Sequence, residues 1–206
     1  MTTEKTTTTL GRAYHHGNLR AALVEAGLEL TRAGGPSALV LRDATRRAGV
    51  SPNAAYRHFV DRLDLLQAVS ERVQTGLAGR MTDLAADAGP RAGLRAVGLG
   101  YIDFALREPG WFEVAFGELD AQPADLGGAE VRLPAPLARL VQALDALVTA
   151  GELSPEARAG AEWPCWSAVH GFALLALHGP LRGQPPEVVR RAAERTVDAI
   201  IAGVLR

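Results

Sequence analysis

Within residues 49–59, GVSPNAAYRHF, stand a hydroxyl (Ser51), an amide (Asn53), a phenol (Tyr56), a guanidinium (Arg57) and an imidazole (His58). These groups hydrogen-bond to phosphate oxygens and base edges. The stretch is therefore an active-site mouth, a piece of core or a docking surface, and the rest of the chain has to decide. Covalent chemistry finds little support elsewhere. Cys165 is the only cysteine and has no base beside it in sequence, so it reads as a buried thiol. A single cysteine excludes an intramolecular disulfide and a Cys-rich zinc site, and it fits a reducing compartment. Glu152, Glu156 and Glu162 read as solvated helix charges, and no Cys, His or carboxylate cluster has metal spacing. Neither metal nor cofactor is expected, and no spaced set of residues recommends an enzyme.

Charge separates the two ends of the chain. Its net charge is −1, yet residues 1–62 hold nine basic side chains against five acidic ones, so the remainder carries −5. A basic front on an acidic body is a common sign of nucleic-acid contact at one end, although solvated faces give the same count. With 206 residues, 48% of them hydrophobic, the chain suits one large domain or a small one joined to a larger one. The N-terminal MTTEKTTTTLGR lacks the apolar core and cleavage motif of a signal peptide. The longest apolar run, residues 168–177, is interrupted by His170 and Gly171 and is too short to span a bilayer. A cytoplasmic protein with no membrane partner is expected.

The elements that would position these groups are helical throughout. Leu19, Leu23, Ala26 and Leu30 form one stripe, ended by Gly34-Gly35-Pro36. Ser37 is placed to cap a second helix running to Ala48, with Leu41, Ala44 and Ala48 inward and Gly49 as its stop. Ser51-Pro52 starts a third helix with a capping residue and a proline at the first helical position. Asp61 caps a long fourth helix with Leu63, Leu66, Val69, Val73 and Leu77 on one face. Further helices carry Leu94, Val97, Tyr101, Phe104 and Ala105; then Trp111, Phe112 and Phe116; then Leu137, Leu140, Leu144 and Leu147. Ser154-Pro155 opens another, and Pro164 either kinks the next helix or marks its true start. The last helix presents Val189, Ala193, Val197, Ile200 and Ile201. Most of the stretch from Gly117 to Pro136 reads as a mobile loop, and the Thr-rich first residues as disordered. The expected class is all-α with about nine helices.

Two short helices around Gly49 make a helix-turn-helix of the expected length, with Val50 and Ala55 filling the angle. The second would lie in the major groove with its N-terminal residues toward base edges.

The run LRDATRRAGVSPNAAYRHFVDRLDLL, Leu41 to Leu66, resembles the DNA-binding region of TetR-family transcriptional repressors. YHHGNLR, Tyr14 to Arg20, is similar to a subset of that family, and WSAVHG, Trp166 to Gly171, resembles a Trp-His-Gly class of its ligand-binding domains. The resemblance implies a three-helix DNA-binding unit over residues 11–60, after a tail at 1–10, and a ligand-binding and dimerisation domain over 61–206. It implies phosphate contacts from Tyr56 and His58 and base reach from Arg42. Ser51, Pro52, Asn53 and Ala54 would form the leading end of the recognition helix. Arg12, Tyr14, His15 and His16 would form an N-terminal arm, and Arg46 and Arg47 divide between phosphate contacts and plain surface. Two positions depart from the pattern. Thr45 replaces a small alanine, so the helix crossing shifts or the hydroxyl bonds back to its own helix. Ala55 replaces the common leucine.

In the body, Phe104, Trp111, Phe116, Trp166 and His170 are the candidate ligand-binding residues, each weighed against a plain core role. The resemblance implies a dimer through the last two helices, using Ala168, Ala173, Leu174 and Leu177 with Ala193, Val197 and Ile201. The expected protein is a homodimeric repressor, released from a palindromic double-stranded DNA operator by a small hydrophobic effector. The alternatives are a helical small-molecule-binding protein with a non-functional DNA module, an enzyme using His170 as base, and an activator.

Overall fold

The computed structural model describes residues 19–86, 89–117 and 133–206. The expected tail, the 12–16 arm with Tyr14 and His16, and most of the expected loop lie outside the described residues. As expected, the class is all-α. The described residues hold ten α-helices and no strand, and two of the ten are single turns of four residues.

Helix α1 (Leu19–Gly34) buries Leu23, Ala26 and the small Gly27 against α4. The second helix does not begin at Ser37. Pro36–Ala38 is one 3₁₀ turn, and α2 spans Leu41–Ala48 with the extended Val40 as its N-cap. Ser37 Oγ donates to Gly34 O at 3.2 Å instead of capping α2. Leu39, fully buried, pins the intervening residues in an extended path before the helix can start. Gly49 ends α2 in the left-handed region (φ 70°), as the glycine signal requires. The N–H of Val50 then closes the turn on Thr45 O at 3.0 Å.

Helix α3 (Pro52–Ala55) continues as hydrogen-bonded turns to Phe59. The Ser51 side chain accepts from Ala54 N, as its position before Pro52 predicts. At α4 (Arg62–Ala85), Asp61 Oδ1 accepts from Asp64 N at 2.9 Å, while Asp64 Oδ2 accepts from Val60 N at 2.9 Å. The first carboxylate caps the helix and the second ties back the residue before the cap, a variant of the capping box. Leu66, Val69, Val73 and Leu77 are buried as expected, but Leu63 is 48% exposed and its place is taken by Leu65.

Helix α5 (Pro90–Arg107) runs through the centre of the body against α4, α6 (Pro109–Phe116), α7 (Ala135–Thr149), α9 (Glu162–Leu177) and α10 (Pro186–Val204). All five apolar residues predicted for it are buried. The single turn α8 (Pro155–Arg158) is capped by Ser154, which accepts from Ala157 N at 3.1 Å. Arg158 then donates to Asp145 on α7 and Glu162 on α9, each at 2.7 Å, so Glu162 is not merely a solvated charge. Pro164 lies in the first turn of α9 and marks its start, where a missing N–H costs no helical bond.

The expected outward face of α9 and α10 is partly corrected. Ala173, Ala193, Val197 and Ile201 are buried within the chain, where the two helices pack on each other and on α5. Trp163, Leu174 and Leu175 are the large apolar residues that α9 leaves exposed.

The backbones of α1 and α6 come into direct contact where the N-terminal helices dock on the body. A Cβ on Gly110 would lie 2.5 Å from Thr31 O and as close to Arg32 O, so only glycine fits there. A Cβ on Gly76 of α4 would meet nothing within 4 Å. Urea denaturation at one protein concentration should therefore give opposite signs. Gly110→Ala is expected to lose about 2 kcal/mol by backbone displacement, and Gly76→Ala to gain up to about 1 kcal/mol of helix propensity.

Candidate nucleic-acid interface and effector pocket

Gly49 and the Ser51 cap turn α3 so that its leading end faces outward. Arg42, Ser51, Pro52, Asn53, Tyr56 and His58 are exposed, Ala54 is half-buried, and Ala55 is the fully buried floor against α1 and α2. The Arg42, Asn53, Tyr56 and His58 side chains make no hydrogen bond or ion pair with the described residues. Tyr56 is 58% exposed, whereas Phe59, three residues on, is 1% exposed with the Arg20 guanidinium 5.0 Å from its ring centre. Thr45 resolves its alternative: its hydroxyl donates to Arg42 O at 2.9 Å, inside its own helix. Arg46 and Arg47 are held by Asp43 (2.8 Å) and Glu29 (3.0 Å), so part of the front's positive charge is already neutralised.

In the sequence, Arg62 is one more basic charge of the first 62 residues. In the fold it is a clamp. Its Nε donates to Leu39 O at 2.7 Å and its Nη2 to Pro36 O, tying the start of α4 to the connection between α1 and α2.

The five candidate ligand-binding residues fall into two groups. Phe116, Trp166 and His170 meet in one aromatic cluster, together with Tyr101 and Phe112. Tyr101 sits 5.1 Å from Trp166 and 5.4 Å from Phe116 between ring centres, and Phe112 sits 5.6 Å from His170. Phe104 and Trp111 instead line the seam with α1. Trp111 Nε1 donates to Leu28 O at 2.9 Å, and the guanidiniums of Arg80 and Arg32 lie over Phe104 and Trp111 respectively. Tyr101 and Phe112 were legible in sequence as apolar positions. Nothing in their spacing distinguished them from ordinary core.

Tyr101 Oη and His170 Nδ1 are 2.9 Å apart. Burial raises the phenol far above its ordinary range and lowers the imidazole, so both are neutral near pH 7. Tyr101 Oη has no other acceptor among the described residues, so the tautomer that satisfies both groups has the phenol donating to Nδ1 and the imidazole proton on Nε2. Burial also pushes the Cys165 thiol up to about 11, with Glu162 adding to the rise, so Cys165 stays a protonated, inert core residue. Beside the cluster, Met81, Val97, Tyr101, Cys165, Trp166 and Ile200 enclose an apolar space of only about 20 Å³. No group of three or more potential metal ligands occurs among the described residues. No helix there is long and apolar enough to cross a membrane.

Comparison with known proteins agrees with this architecture at both ends. Residues 23–69 match the model for bacterial regulatory proteins of the tetR family, and residues 94–200 match that for a tetracyclin repressor-like C-terminal domain. No curated protein matches the chain. Among solved structures, a protein of unknown function from Rhodococcus sp. RHA1 is 27% identical, with a TM-score of 0.75 over 95% of this chain and 100% of that one. The TetR transcriptional regulator SCO0520 from Streptomyces coelicolor is 26% identical, with a TM-score of 0.53 over 90% and 97%. A TetR variant from Acinetobacter baumannii AYE, solved with minocycline, shares the fold at 20% identity, with a TM-score of 0.62 over 89% and 94%. Two family models cover the helix-turn-helix and most of the helical body, and the chain belongs to the TetR family of bacterial transcriptional regulators.

Proposed function

We propose that the protein is a homodimeric repressor that leaves a palindromic operator when a small hydrophobic effector enters its helical body. Residues 11–60 serve as the DNA-binding unit and 61–206 as the effector and dimerisation domain. The observation that carries this reading is the exposed, unpartnered set Arg42, Asn53, Tyr56 and His58 on one helix-turn-helix, in a chain of this family. Tyr56 and His58 donate to phosphate oxygens. Arg42 and Asn53 reach base edges, Ala54 offers a methyl contact, and Ser51 and Pro52 aim the leading amides of α3 at the backbone.

The dimer forms through the outward faces of α9 and α10. Helix α9 is apolar almost all round, and the core covers only one side of it, so Trp163, Leu174 and Leu175 are left for a second copy. Two-fold symmetry then places the recognition helices about 34 Å apart, one turn of DNA. Phe116, Trp166 and His170 form the effector site with Tyr101 and Phe112, His170 offering its Nε2–H as the polar anchor. Because the enclosed space is about 20 Å³, an effector has to displace side chains there, and that displacement distinguishes the bound state from the DNA-binding one. Minocycline bound to a protein of the same fold supports a ligand-responsive body.

On a series of operator variants, Arg42→Ala should flatten the base preference at one position by about 1–3 kcal/mol. Tyr56→Phe should weaken every sequence alike by roughly tenfold, the loss of one hydrogen bond to a charged oxygen. Equal effects of both variants on specific and non-specific DNA would sink the assignment of Arg42.

The His170 environment sets a pH dependence. Its folded pKa lies below the unfolded value of about 6.5, so the unfolded chain takes up this proton first. Stability from this group is complete above that value and falls as pH drops through the window beneath it. Thermal midpoints recorded from pH 7.5 to 5 should fall more steeply for the wild type than for His170→Gln. Parallel curves would exclude a buried neutral imidazole.

A further inference from the structure

We propose that the cleft where α1 meets α4, α5 and α6 is a second ligand site, built for a small amphipathic monoanion such as an aromatic carboxylate. It is separate from the cluster around His170 and does not depend on that cluster's role. The cleft encloses about 220 Å³, and Leu28, Val73, Phe104 and Trp111 form its apolar walls. Along its rim, Arg72, Gly76 and Arg80 follow one another at four-residue spacing on α4, so they share a face. Gly76 leaves the middle of that stripe open, since a Cβ there would meet nothing within 4 Å.

The charges at the rim are incompletely matched. Arg80 lies 5.9 Å above the centre of Phe104 and forms no ion pair within 4 Å among the described residues, although its charge also acts on the Glu108 carboxylate. Arg72 meets Glu25 only at 3.7 Å, longer than a direct charge-assisted hydrogen bond. The neighbouring Arg32 and Glu108 satisfy each other, at 2.8 and 2.6 Å, and add no net charge. Arg32, Arg72 and Arg80 against Glu25 and Glu108 leave a single positive charge, shared among them, above an apolar floor. A carboxylate takes the guanidinium fork of Arg80, and its ring or chain lies against Phe104 and Trp111. A dianion would overshoot that charge, and a neutral apolar molecule would leave the surplus unmatched. Leu28 and Glu25 belong to α1 and Trp111 to α6, so an occupant bridges the DNA-binding helices and the body.

The test is calorimetric titration of the full chain with 4-phenylbutyrate, and with 4-phenylbutan-1-ol as the uncharged counterpart. Saturable binding of one acid per chain is expected, with the alcohol at least about tenfold weaker. Arg80→Gln and Gly76→Leu should each weaken the acid by about tenfold or more; the first removes the fork and the second fills the cleft. Circular dichroism should show both variants folded. A Trp163→Phe/Trp166→Phe chain keeps Trp111 as its only tryptophan, and its fluorescence should then follow the same binding curve. Should that chain fail to fold, the calorimetric arm decides alone. The proposal is overturned by acid binding that survives both single variants, by equal binding of acid and alcohol, or by no binding at millimolar acid.

Discussion

The structure depends on one close approach, the last turn of α1 against the first turn of α6. Gly110 has no side chain, so its backbone sits against the carbonyls of Thr31 and Arg32. Those carbonyls belong to a helix C-terminus and meet the N-terminal end of another helix, so the two partial charges attract. Around this contact, Arg32 pairs with the buried Glu108, and Trp111 Nε1 takes Leu28 O. The Arg32 guanidinium holds the Glu108 carboxyl below its ordinary range, so the pair stays ionised at neutral pH. Once α6 is seated this way its rotation is set. Trp111 faces α1, and Phe112 and Phe116, four residues apart, face α5 and α9.

That seating makes the DNA-binding helices and the body one mechanical unit. Helix α4 passes between them without a linker, its start fixed by the Asp61 and Asp64 carboxylates and by Arg62 on the carbonyls of Pro36 and Leu39. Helix α6 supplies a second connection, with one face on α1 and the other in the aromatic cluster. A side-chain displacement around Phe116 therefore has two routes to α3. Both run through backbone carbonyls of α1 or of the α1–α2 connection.

The signals legible in sequence were the local ones. Ser51-Pro52, Asp61, Ser154-Pro155 and Gly49 each act within four residues of themselves, and each does in the fold what its type and position predict. Ser37 is not a cap because a cap needs a helix free to start beside it, and burial of Leu39 overrides the local preference. In sequence, Phe104 and Trp111 are indistinguishable from Phe116 and Trp166, since all are aromatic and helical. Which side of α5 and α6 each occupies is decided by docking on α1, which no single-helix period encodes. The same holds for Ala173 and Val197, whose small size suits a helix interface but whose partner is inside the chain. Arg62 was invisible as a clamp because its acceptors lie 23 and 26 residues away.

The nearly closed space beside Trp166 follows from energetics. An empty apolar cavity costs about 24 cal/mol per Å³, so roughly 200 Å³ held open without a ligand would cost about 5 kcal/mol. That is a large part of the stability of a domain this size. The cluster instead collapses, with Tyr101 bonded to His170 and the rings of Phe112, Phe116 and Trp166 packed around them. Moving a two-state equilibrium from 1:99 to 99:1 takes about 5.5 kcal/mol of differential binding. The cost of opening and the energy needed for a full switch are thus of the same order. In the proposed mechanism, a cluster that is closed when empty holds the DNA-binding arrangement by default and gives it up only to a molecule that fills the opened space well.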